Sequence, residues 1–143
     1  MKSKMSQETS GVGADKATLS DMDSDARLGM QAPALRQAVL DHLHYSVGRL
    51  PSVATIHDCY IALALAIRDR MQYRWINTAQ TYLDLNRKIV CYLSAEFLMG
   101  PHLGNNLVNL HVEQEARDAL TALGVDFDAT LACEKEPGLG NGG

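Results

Sequence analysis

The sequence predicts an α/β chain, mostly helical, with one buried strand. Three observations predict it. Apolar residues recur at steps of three and four through most of residues 33–83 and again over 112–123, the period of a helix with one inward face. A short apolar run that is β-branched at its start, Ile89-Val90-Cys91-Tyr92-Leu93, follows a break in that period and reads as a buried strand. Glycine and proline fall between the periodic segments, at Gly48 and Pro51, at Gly100-Pro101 and at Gly138 to Gly143, where turns belong.

Residues 1–32 are rich in Ser, Asp, Gly, Lys and Gln and are expected to form a flexible leader. The ordered part is expected over 33–143. Leu35, Val39, Leu40 and Leu43 predict a helix of about three turns. Thr55 and Asp58 form a capping pair for a second helix, whose apolar stripe is Ile56, Tyr60, Leu63, Ala64, Ile67 and Met71. Arg68, Asp69 and Arg70 lie near its end and read as a solvated face. A further helix with Trp75, Ile76, Ala79 and Leu83 follows almost without a break, and Trp75 and Tyr82 are expected in the core. Asn86-Arg87-Lys88 interrupts the period before the strand. The stretch 97–109 is expected to be a loop leading into a helix. Val112 to Leu123 is amphipathic, with Val112, Ala116, Leu120 and Leu123 inward and Gly124 as its C-terminal cap. Phe127 to Cys133 predicts one more short helix. A single strand cannot pair its own edges, so its partners are expected from more chain or another molecule.

Composition removes several function classes. The 143 residues carry a net charge of -4, and the basic residues are scattered, so no nucleic-acid footprint is present. The longest apolar run, Tyr60 to Ile67, is too short to span a bilayer, and the first 30 residues hold no apolar run of signal-peptide length. No membrane association is expected. Three cysteines without close spacing, Cys59, Cys91 and Cys133, give neither a disulfide framework nor a zinc pattern. Reduced thiols fit a cytoplasmic protein.

Few residues carry chemistry by spacing alone. His42 and His44, two apart on a helix, point to different faces and do not converge on a metal; His57, His102 and His111 have no ligand spacing either. No Ser/His/Asp arrangement can be argued from the sequence. Glu96 stands at the end of the predicted strand, where open α/β sheets place their sites. The run Gly138-Leu139-Gly140-Asn141-Gly142-Gly143 satisfies G-x-G-x-x-G, but no strand precedes it, and the given sequence ends before the position of the acidic residue that a dinucleotide fingerprint requires. What survives is more general: glycines allow close backbone approach and can aim several N–H groups at an anion.

One ordered set of strings goes further. It runs from His42-Leu43-His44-Tyr45 through Val53-Ala54-Thr55, Arg68-Asp69, Arg74-Trp75-Ile76 and Tyr92-Leu93-Ser94 with Glu96-Phe97. It continues through Met99-Gly100 and Val108-Asn109-Leu110 to Gly138-Leu139-Gly140-Asn141-Gly142-Gly143. In this order, over about residues 35–143, the strings resemble the N-terminal portion of the α-glucan (glycogen, maltodextrin or starch) phosphorylase family.

The resemblance implies a glycosyltransferase B fold of two Rossmann-like domains, of which 33–143 is an incomplete N-terminal piece. It implies release of glucose 1-phosphate from the non-reducing end of an α-1,4-glucan by inorganic phosphate, usually by a homodimer in the cytoplasm. It implies pyridoxal 5'-phosphate on a lysine of the C-terminal domain, which this chain lacks, with the cofactor's phosphate working as acid/base. Gly142 and Gly143 match the loop whose N–H groups face the substrate phosphate. Asn141 matches a residue lining the sugar site, and Glu96 matches a glutamate that packs against the loop and holds it. No catalytic residue is expected within the 143 residues. Two departures stand out: the leader lacks the basic serine phosphorylation motif of animal members, and Asn77 and Leu83 occupy the positions of their AMP-binding arginine and tyrosine. AMP and phosphorylation control are therefore not expected. The chain alone is expected to be inactive, as part of a longer enzyme; the alternative is a truncated, non-catalytic structural or interaction module.

Overall fold

A computed structural model describes residues 25, 27–94 and 100–136. Within these the architecture is helical: α1 (Ala32–Asp41) running into a π-helical turn (His42–Val47), a 3-10 turn (Pro51–Val53), α2 (Ile56–Asp84), α3 (Leu103–Leu110), α4 (Glu113–Thr121) and α5 (Phe127–Leu131).

The helix ends follow from local chemistry. Thr55 and Asp58 form a reciprocal capping box: the Thr55 hydroxyl accepts from the Asp58 amide at 3.2 Å and the Asp58 carboxylate accepts from the Thr55 amide at 2.8 Å. The far end of α2 closes as a Schellman turn. Arg87 N–H donates to the Tyr82 carbonyl at 2.9 Å and Asn86 N–H to that of Leu83 at 3.1 Å, with Asn86 left-handed at φ 46°. This is the physical content of the period break at Asn86. Helix α4 ends the same way. Gly124 takes φ +72°, a conformation that glycine adopts without steric cost, and Val125 N–H reaches the Leu120 carbonyl at 3.0 Å.

The core lies where α1, the first half of α2, α3, α4 and α5 meet. Leu35, Val39, Leu63, Ile67, Leu107 and Leu120 are fully buried. At about 1.5–3 kcal/mol for each such side chain, this cluster is the main cohesive force. The inward face of α2 is Cys59, Ala62, Leu63, Ala66, Ile67 and Arg70. Leu63 and Ile67 were legible from spacing, but Ile56 and Met71 are exposed. The face is rotated toward Ala62 and Ala66, which are fully buried beside Leu63 and Ile67.

Several expectations are corrected. The buried strand at Ile89–Leu93 is not formed: residues 87–94 have no regular structure, and Val90 and Leu93 are 93% and 90% exposed. A strand is stable only when its N–H and C=O groups pair in a ladder, and the described residues contain no second strand to supply one. Trp75 and Tyr82 are outside the core, Trp75 being 65% exposed. The two helices expected over 56–83 are one continuous helix of 29 residues, of which nothing beyond Arg70 is buried. Finally, Arg70 is no solvated residue. It is 2% exposed, with Nε and Nη2 donating to the Gly29 carbonyl at 3.1 and 2.6 Å and Nη1 to that of Ala66 at 2.8 Å. Burial pushes its pKa down to about 10, which leaves it charged at neutral pH.

Candidate functional site

Glu96, Asn141, Gly142 and Gly143, the residues expected at the site, lie outside the described residues. What the structure does place are the chain segments next to them, Gly100 to Leu103 on one side and Cys133 to Glu136 on the other. The two segments are joined. The Glu134 carboxylate accepts from the His102 amide through Oε1 at 2.7 Å and from the Leu103 amide through Oε2 at 2.9 Å. These are unpaired donors at the start of α3, whose N-cap residue His102 makes no side-chain cap of its own. A carboxylate is the favoured group there, because the helix dipole and two N–H groups converge on it. Glu134 also stands near Tyr60 on α2: burial raises the Tyr60 hydroxyl pKa, and the Glu134 charge raises it further.

A second polar cluster fastens the start of the described chain to α2. The His42 ring contacts Ser46 Oγ through Nδ1 at 2.9 Å and Asp69 Oδ2 through Nε2 at 3.1 Å. Asp69 also accepts from Arg27 Nε at 2.8 Å and Arg68 Nη2 at 3.3 Å. Burial tends to raise the Asp69 pKa, but the hydrogen bonds from Arg27 and Arg68 outweigh it and hold the carboxylate below its ordinary range. Sequence reading found no Ser/His/Asp arrangement, and the structure assembles one. Its two ends come from different helices, with His42 and Asp69 27 positions apart, so no spacing signalled it. Two guanidinium groups already claim the Asp69 charge, and Ser46 lies one helical turn from His42, so the string reads as a fastening between α1 and α2. The expectation that His42 and His44 part company holds: His42 is buried, while His44 is exposed edge-on to Tyr45.

One further concavity, on the second half of α2, is apolar. A shallow cavity of about 540 Å³ is lined by Trp75, Thr78, Ala79, Tyr82, Leu83, Lys88, Ile89 and Val90. Asn77 and Leu83 are both exposed on this half of α2. Among the described residues no group of His, Cys, Asp and Glu could hold a metal. The described lysines, Lys88 and Lys135, are exposed, and Lys88 borders the apolar cavity without a set of phosphate-binding donors around it. A Schiff-base lysine needs a desolvated, enclosed setting, so the described residues do not make a pyridoxal phosphate site. Among them, no helix is long and apolar enough to cross a membrane.

No protein-family model matches the chain. Individual curated proteins do. The chain is 50% identical over 119 residues to a glycogen phosphorylase of Synechocystis sp., an alignment covering 83% of the chain and 14% of that protein. It is 41% identical over 109 residues to the liver form of glycogen phosphorylase of Homo sapiens, covering 76% of the chain and 13% of that protein. It is 40% identical over 109 residues to the brain form of Bos taurus, with the same coverage of 76% and 13%. The chain therefore spans a small fraction of the length of the relatives it matches. Agreement at this level over most of the chain places it: the chain belongs to the glycogen phosphorylase family and corresponds to a small part of a member's length.

Proposed function

We propose that the protein to which this chain contributes is a 1,4-α-D-glucan phosphorylase. In phosphorolysis a phosphate oxygen bonds to the anomeric carbon of the terminal glucose as the bond to the next sugar's O4 breaks. The shortened glucan leaves with a proton on O4, and glucose 1-phosphate is the other product. The single observation that supports the reading is the 50% identity to a named glycogen phosphorylase across most of the chain.

In this reading the glycine run is the chain's contribution to the chemistry. The N–H groups of Gly142 and Gly143 face the inorganic phosphate, Asn141 lines the sugar site and Glu96 holds the run in place. Backbone donors suit such a role, since they bind an oxyanion without adding a mobile charge and are fixed before substrate arrives. Pyridoxal 5'-phosphate, the glycosyltransferase B fold with its second domain, the homodimer and the cytoplasmic setting belong to the same proposal. So does the division into a leader over 1–32 and an incomplete N-terminal domain over 33–143. The 143-residue chain by itself makes no glucose 1-phosphate.

The test is Gly143→Ala in the full-length product of the gene that carries this sequence. A methyl group where phosphate approaches the backbone should raise the KM for phosphate about tenfold or more, because a lost or displaced oxyanion donor costs one to a few kcal/mol. The KM for the glucan should change little. An unaltered phosphate KM would remove the assigned role of the glycine run.

A further inference from the structure

We propose that Glu134 is a positioning residue for phosphate binding, a clip that ties the approach to the glycine run to the approach to Glu96. The proposal rests on the phosphate-facing role of that run. The geometry is unusual for a helix start. An ordinary acceptor for the N-cap amide is local: it is the side chain of the third helical residue, position 105 here, as Asp58 takes the amide of Thr55. Here His102 supplies no cap, and the carboxylate arrives from 32 and 31 residues further along the chain. A cap brought from that distance does what a local one cannot: it joins two chain segments at a defined point.

Both segments lead directly to the proposed site residues. Glu96 precedes His102 by six residues, and Asn141 follows Glu134 by seven. The clip is itself braced. Leu131, three residues before Glu134, packs over Gly104 in the first turn of α3, where an added Cβ would lie 3.8 Å from its Cδ1. Helices α3 and α5 both rest on α2. With both oxygens engaged, the Glu134 carboxylate is fixed in position and in orientation. Fixing one end of each segment removes conformations that the site would otherwise have to exclude when phosphate binds.

The decisive comparison separates capping from tying, again in the full-length gene product. Glu134→Ala should raise the phosphate KM about tenfold, with glucan KM and kcat within about twofold. Glu134→Gln, which keeps one acceptor, should lie between. The double variant Glu134→Ala with Asn105→Glu gives the His102 amide a local acceptor. It should recover thermal stability and leave the phosphate KM raised. If the double variant also recovers the phosphate KM, or if Glu134→Ala never raises it, Glu134 is only a helix cap and the proposal is overturned. Absence of glucose 1-phosphate formation by the unmodified protein would instead remove the phosphorylase reading itself, so the two failures are distinguishable.

Discussion

At the scale of single residues, the helix caps and the polar fastenings have opposite histories. Thr55 with Asp58 could be recognised from two letters three apart, because a capping box is a local contract between a side chain and a nearby amide. Thr55→Ala should lower stability by about 1 kcal/mol, read from the urea midpoint. Arg70 could not be recognised, because an arginine between Asp69 and Met71 looks like any other surface charge. Its partner is a carbonyl 41 residues away, at Gly29. Arg70→Ala should cost about 2–4 kcal/mol, since it empties a buried volume and strips donors from two carbonyls. A loss within about 0.5 kcal/mol, the range of ordinary surface changes, would show that the burial is not structural. Asp69 links protonation to folding. Its folded pKa lies below its unfolded value, so it stabilises the native state above pH of about 4 and loses that contribution as pH falls through the folded value. The stability gap between the protein and its Asp69→Asn variant should therefore be widest near neutrality and narrow in acid. A gap that widened on acidification would contradict the assignment.

At the scale of elements, the amphipathic helices were legible and the strand was not formed. Val112 to Leu123 carries its fold in its spacing, and α4 appears there with Ala116 and Leu120 inward and Gly124 at its end. The run Ile89 to Leu93 has strand composition, but composition cannot supply the neighbour that a strand needs. Without a second strand among the described residues it stays irregular and exposed. The second half of α2 follows the same logic. Trp75, Ile76 and Leu83 have the apolar character of a core face, yet nothing described covers them. The relatives are several times longer than this chain, and we predict that further polypeptide of the full-length protein covers this face. Trp75 is the only tryptophan, which makes the idea measurable. Its emission should be red-shifted and readily quenched by acrylamide in the 143-residue chain, and blue-shifted and protected in the full-length protein. Equal quenching in both would show that this half of the helix stays bare.

At the scale of the whole molecule, more of the family than of the site could be read from the sequence. An ordered set of short strings survives wherever each string keeps its own local role, and it carried the assignment that comparison with glycogen phosphorylases supports. The proposed site is different, since Glu96 and the glycine run are separated by more than forty positions and no local rule pairs them. The structure contributes the Glu134 clip between the segments that lead to them, a contact that no spacing rule announces. The measurement that reaches the phosphorylase proposal most directly is product analysis with the full-length protein, a linear maltodextrin and inorganic phosphate. Phosphate-dependent release of glucose 1-phosphate is expected, with none from the 143-residue chain. Release of free glucose independent of phosphate, or no release at all, would contradict the proposal.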